Sequence, residues 1–308
     1  MKKILLAIIL LGQAVPAVAP ASVLPDESTE YGARRIRGSY LLHMIGPNAV
    51  GMGGTYAASG APNPGALGLV NGGNATAMHD FIGQGMALSY LSLAKSTPIG
   101  GFSAGGLMVD YGSLENRDAL GNIDGSRAIT DWVGLFGWGL SFGGPTSFGS
   151  SAGATVEYIQ EAGRGSVYGA SFGLITRVSR SVSAGLSVEH IGPGRNDFRL
   201  PERIVGGVAV GMRNDTVRIA SDLGYRLVDR DFYGTIGVEL EVSGMFLVRG
   251  GYRFRGENRA LGGASGLAGG MGIILDRMKN GGRFGMDYAI QPFGSLGESH
   301  RIAVSYTN

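Results

Sequence analysis

Polar and apolar positions alternate with a period of two from residue 85 to the end of the chain, most plainly over residues 283–308. Phe284, Met286, Tyr288 and Ile290 alternate with Arg283, Gly285, Asp287 and Ala289. After the connection Pro292-Phe293-Gly294-Ser295-Leu296-Gly297, Ile302, Val304 and Tyr306 alternate with Arg301, Ala303, Ser305 and Thr307. A period of two describes a strand with two unlike faces, and Pro with Gly between two such runs describes a turn. The chain therefore closes with a β-hairpin. The same reading places strands at 85–94, 100–111, 130–142, 147–159, 166–177, 181–191, 202–213, 216–227, 232–242, 245–255, 265–275, 283–291 and 299–307. With Val50–Ala58 as a first strand the count is 14, an even number as in bacterial barrels. Each run has about the 9–11 residues that a tilted membrane strand needs.

Charge follows the alternation. Val217, Ile219, Leu223 and Tyr225 oppose Arg218, Asp222 and Arg226. Ile236, Val238 and Leu240 oppose Glu239 and Glu241, and Phe246, Val248, Tyr252 and Phe254 oppose Arg249 and Arg253. An Arg at the bilayer midplane on the lipid face costs about 2–4 kcal/mol, so the charged face is the lumen. Asp287 and Arg301 join this set of candidate lumen residues and are placed to meet across the closing hairpin. Glu239 and Glu241 are expected to pair with Arg249 and Arg253 across strands. Such charges either staple the interior or line a passage.

With Asn308 taken as periplasmic, the connections on its side are short: 95–99, 143–146, 178–180, 214–215, 243–244 and 276–282. Those on the other side (112–129, 160–165, 192–201, 256–264 and 292–298) are mostly longer, the asymmetry of outer-membrane barrels. The expected fold is all-β, a transmembrane antiparallel up-and-down barrel of about 14 strands in the bacterial outer membrane.

The N-terminus agrees with export. Lys2 and Lys3 precede the apolar run Ile4–Leu11, and Ala19-Pro20-Ala21 offers small residues for cleavage, which describes a signal peptide over 1–21. Residues 22–37 are polar and aperiodic and are expected to form a periplasmic tail. Residues 38–84 are rich in Gly, Ala and Asn and contain the first strand; the remainder suits either a lumen plug or a surface excursion. Residues 85–308 make the barrel. Without Lys2 and Lys3 the chain carries 24 basic and 24 acidic residues, so nucleic acid has no electrostatic footprint to bind. There is no Cys, which leaves backbone pairing and packing to hold the exported protein together. Gly supplies 56 of 308 residues without a collagen period, consistent with curved, closely approached strands.

Candidate chemistry is sparse. His43, His79, His190 and His300 are scattered without metal-ligand spacing, and no GxSxG elbow occurs. Gly262-Gly263-Ala264-Ser265-Gly266 lacks the lysine and the strand–loop–helix setting of a phosphate loop. Asp118, Asn122 and Asp124 do not fit the EF-hand spacing. No enzyme, cofactor or metal is expected.

Several stretches resemble the PorV/PorQ-type outer-membrane proteins: Gly51-Met52-Gly53-Gly54-Thr55-Tyr56, the loop opening at Asp110-Tyr111-Gly112, Leu200-Pro201, and Arg249-Gly250-Gly251-Tyr252-Arg253-Phe254. The closing Asp287-Tyr288-Ala289, Pro292-Phe293-Gly294 and His300-Arg301 are similar too, so the resemblance spans about residues 40–308. It implies a FadL-like barrel and a part in type IX-like protein secretion. The partners would be secretion-machinery subunits or exported proteins at the outer loops, with outer-membrane lipid around the wall. Two alternatives stand beside it: a FadL-like transporter of hydrophobic small molecules, and a structural barrel without transport. A transporter calls for an apolar lumen, and the charged face from Arg218 to Arg255 weighs toward the secretion reading.

Overall fold

Alternation closes the chain on itself. The computed structural model describes residues 35–43, 46–82, 85–117, 120, 122–143, 149–193, 198–213, 215–255, 263–276, 282–294 and 297–308. Its barrel strands are β1 (Gly73–Ile82), β2 (Met86–Thr97), β3 (Gly100–Arg117), β4 (Ile123–Phe142) and β5 (Ser150–Glu161). They continue with β6 (Gly165–Arg177), β7 (Val182–Ile191), β8 (Arg203–Met212), β9 (Val217–Arg226) and β10 (Asp231–Val242). The last four are β11 (Phe246–Phe254), β12 (Leu267–Asp276), β13 (Arg283–Pro292) and β14 (Glu298–Thr307). Each pairs antiparallel with its neighbours in sequence, and β14 pairs with β1 from Ser299↔Ile82 to Thr307↔Asn74. The result is a closed barrel of 14 antiparallel strands, which leaves no edge unpaired.

The outer wall is apolar. Leu93, Trp132, Phe136, Phe172, Leu223, Val238, Val248 and Met271 are all exposed, an apolar surface far beyond the patches that water-soluble proteins tolerate. Aromatic residues gather toward both ends. Tyr158–Tyr168, Tyr225–Phe232 and Tyr252–Phe254 form ring pairs at the end away from Asn308, while Trp138, Phe246 and Tyr306 lie nearer Asn308. These are the interfacial girdles of a membrane barrel. Val238→Arg, near the middle of β10, is expected to cost about 2–4 kcal/mol. The readout is a lower urea midpoint for barrels folded in lipid vesicles, and an unchanged midpoint would show that this face does not meet lipid.

The first strand corrects the sequence reading. Val50–Ala58 is not a strand: Pro47–Gly51 is a short helix followed by turns, and β1 lies at Gly73–Ile82. Gly51, Gly53 and Gly54 break up the apolar run, and Gly53 and Gly54 have φ of +74° and +92°. The connection 112–129 is also corrected. β3 and β4 continue to pair through it, with Ser113↔Ala128 and Arg117↔Ile123 joined across two register shifts, between Asp110 and Ser113 and between Glu115 and Arg117. Polar residues on both faces hide the strand there. Of the expected periplasmic tail only residues 35–37 are described; the signal peptide lies outside the described residues. Arg35–Ile36 pairs in parallel with Phe198–Arg199, in the β7–β8 connection at the end away from Asn308. Those residues are therefore not on the Asn308 side. Arg37 holds them there through its ion pair with Glu161 and its bond to the carbonyl of Gly165 at 2.7 Å.

From that far end the chain runs inside the ring of strands through residues 39–43 and 46–69 and emerges beside Asn308, where Gly73 N bonds Asn308 O at 3.2 Å. The wall admits this segment by withholding side chains. A Cβ on Gly237 would stand 2.2 Å from Met52 O, and one on Gly251 would stand 2.1 Å from Met52 C. Part of the glycine excess therefore serves backbone-to-backbone approach between wall and interior.

Candidate functional site

Most of the candidate residues lie in the lumen, between the wall and the internal segment, beside an apolar cluster that includes Leu41, Leu88, Leu107 and Val133. Arg218, Glu239, Arg249 and Asp287 form one ladder across β9, β10, β11 and β13. Arg218 reaches Glu239 at 3.7 Å, Glu239 accepts from Arg249 Nε at 2.6 Å, and Arg249 Nη1 reaches Asp287 at 2.5 Å. Asp287 and Arg249 meet over β12 because Gly272, opposite Asp287, has no side chain to separate them. Asp222 accepts hydrogen bonds from the backbone N–H of Tyr56 at 2.7 Å and of Ala57 at 3.0 Å. Arg253 Nε donates to Gly53 O at 3.2 Å. These two strand residues hold the internal segment by its main chain. Arg226 instead pairs near the far-end turn with Asp231 at 2.7 Å and Asp229 at 3.3 Å.

Two expected pairings do not form. Asp287 stands opposite Ala303, and Arg301 opposite Ala289, so their side chains take other partners. Arg301 pairs with Asp80 on β1, with Nε to Oδ2 at 3.0 Å, and Ser299 Oγ donates to the other carboxylate oxygen at 2.5 Å. Both charges are fully buried at the seam where the last strand meets the first. Glu241 stands opposite Leu247 and joins no ion pair among the described residues; Arg253 lies in register with Thr235, well along the strand.

A second set was not singled out from sequence. Tyr56 hydroxyl donates to Glu189 at 2.9 Å, Glu189 accepts from Arg203 Nε at 2.6 Å, and the Arg203 guanidinium lies 5.4 Å from the Tyr56 ring centre. Beside them, Glu157 accepts from Ser171 Oγ at 2.9 Å and faces His190 Nδ1 at 2.9 Å. Ser171 donates to the carboxylate and not to the imidazole, so this is not a base-activated nucleophile. Alternation at Val156-Glu157-Tyr158 could have flagged Glu157 as inward. Asn63 caps the 3-10 turn at Pro64–Leu69, ties it to the wall by donating to Leu174 O at 3.2 Å, and donates to Ala57 O within the segment at 2.6 Å.

Asn63, Glu157, Ser171, Glu189, His190 and Arg203 border a cavity of about 480 Å3 that runs along the internal segment. Asn71, Asn74 and Thr307 line it toward the Asn308 end, and Glu157, Glu189, His190 and Arg203 line it in the far half. Between them the wall is largely apolar or small: Leu41, Met78, Tyr90, Leu135, Ala94 and Ala303. Among the described residues, no group of three or more His, Cys, Asp or Glu side chains could hold a metal ion. The arrangement can enclose a small molecule and offer it hydrogen bonds at either end.

Comparisons agree on the architecture. No protein family and no curated protein matches the sequence. Solved structures do match. The chain is similar to the toluene transporter TodX of Pseudomonas putida, at 13% identity over 85% of this chain and 97% of that one, with a TM-score of 0.56. It is likewise similar to a deltaS2 mutant of the TodX monoaromatic hydrocarbon channel, at 13% identity over 85% of this chain and 98% of that one, with a TM-score of 0.56. At that identity the likeness is one of fold: a FadL-like 14-stranded barrel of the bacterial outer membrane.

Proposed function

We propose that this protein is a channel that carries small, largely apolar molecules across the outer membrane. The observation that carries this reading is the cavity of about 480 Å3, which follows the internal segment along the lumen. It is well above the roughly 150 Å3 in which a benzene-sized guest is held. The likeness to a toluene transporter supports the same substrate scale. Four of the charged residues that weighed against transport from sequence pair with one another in the ladder from Arg218 to Asp287; Asp287 borders the cavity with its charge met by Arg249, and Met78, Tyr90 and Leu135 give the same cavity an apolar stretch. A role with secretion machinery rests on the sequence resemblance alone; no feature of the lumen or wall speaks for it.

The test is uptake of radiolabelled toluene into vesicles reconstituted with the protein. Uptake should exceed that of protein-free vesicles, and Ser92→Trp, which puts an indole where a small hydroxyl lines the cavity, should abolish most of the excess. Folding is checked by heat-modifiable migration. Uptake no faster than in empty vesicles would sink the proposal.

A further inference from the structure

The far half of the cavity holds a histidine that the fold turns inward at a cost. Strand alternation would send His190 to the lipid face, because its neighbour Glu189 faces the lumen. A β-bulge intervenes. The β6–β7 register passes from Ala170↔Ile191 to Phe172↔Val188, so Glu189 and His190 together oppose Ser171. His190 takes φ of +58°, rare for a residue with a Cβ. Both side chains are consequently buried, at 2% and 5% exposure. Bulges and left-handed residues of this kind re-aim side chains at functional sites.

The imidazole is then held on one side only. His190 N donates to Ser171 Oγ at 3.0 Å, and Nδ1 lies 2.9 and 3.0 Å from the two Glu157 oxygens. A carboxylate only accepts, so Nδ1 carries the proton in that contact. The other ring nitrogen, Nε2, is buried and has no hydrogen-bond partner among the described residues, while the residue borders the cavity. A histidine serving only to fill space would not be locked at Nδ1 by the Glu157 carboxylate and left open at Nε2, since an unmet buried polar atom is destabilising.

Resting on the channel reading, we infer that His190 is the recognition point for a hydroxyl-bearing ligand, a small apolar body with one O–H, of which phenol is the simplest example. A hydroxyl both donates and accepts, so it satisfies Nε2 whether the ring is neutral or protonated. The apolar body would lie against side chains of the same cavity such as Leu41, Met78 and Leu135. Glu157 and Ser171 act as positioning residues that fix the ring.

The test compares phenol and toluene binding to the purified, detergent-solubilised protein. Wild type should bind phenol about tenfold more tightly than toluene, the value of one hydrogen bond. His190→Leu should remove that preference, so that phenol binds no more tightly than toluene. A wild type without the preference, or a His190→Leu variant that keeps it, would overturn the inference. Should the variant not fold, wild-type protein labelled with 15N-histidine decides: the His190 Nε2 resonance moves with phenol and not with toluene, and no selective movement overturns the inference. Toluene binding without phenol preference defeats only the hydroxyl site. Binding of neither molecule defeats the channel reading beneath it.

Discussion

Arg301→Leu is expected to destabilise the barrel more than any substitution on its outer wall. The change leaves the Asp80 carboxylate fully buried at the β14–β1 seam with only Ser299 for support. Breaking a buried pair from one side costs about 3–5 kcal/mol, because the remaining charge is left uncompensated in a low-dielectric site. The effect should appear as a lower urea midpoint in vesicles and as poorer recovery of the heat-modifiable form. The double variant Asp80→Leu/Arg301→Leu should regain most of the loss, since it buries no charge. A single variant as stable as wild type would mean that water reaches the seam.

The second large effect concerns the internal segment. Gly251→Val places a side chain where the main chain of Met52 and Gly53 now lies, with the first added carbon 2.1 Å from Met52 C and 2.2 Å from Gly53 N. Wall and segment cannot both stay, and the closed ladder of strands is the stiffer of the two. The segment should leave this part of the wall, with a several-fold rise in single-channel conductance in planar bilayers. The neighbouring Gly250→Val is the control, because a Cβ there meets nothing within 4 Å. Equal conductance for both variants would show that the segment does not obstruct the lumen.

What was legible in the sequence follows from what each residue contacts. From β2 onward the contrast between the lipid face and the interior is recorded by alternation, and the strand positions follow within a few residues except at the tips of β3 and β4, which extend into 112–117 and 123–129. β1 escaped because its outer row opens with Ala75 and Ala77, too small to read as a lipid face. With β1 misplaced, Asp80 had no assigned face, and Arg301 was matched to Asp287 instead. The internal segment escaped for a different reason. Its contacts are main chain against main chain at glycines, and no side-chain period reports such packing. His190 was hidden by the bulge, since the rule that found the other inward residues assigns it outward. The lumen ladder was partly legible: Glu239 and Arg249 were matched correctly, but the reach of Arg249 over Gly272 to Asp287 needs the register of three strands.

The route of the chain has a mechanical consequence. Arg37 and Gly38 are fastened to Glu161 at one mouth of the tube, and Gly72 passes into β1 at the other. The intervening residues are thus threaded through the ring and anchored at both openings, like a cord strung through a pipe. Such a cord cannot be ejected from either end while its anchors hold. Any clearing of the bore must come from the cord changing shape in place, which confines the moving parts to the stretch between Leu41 and Leu69 and leaves both rims still.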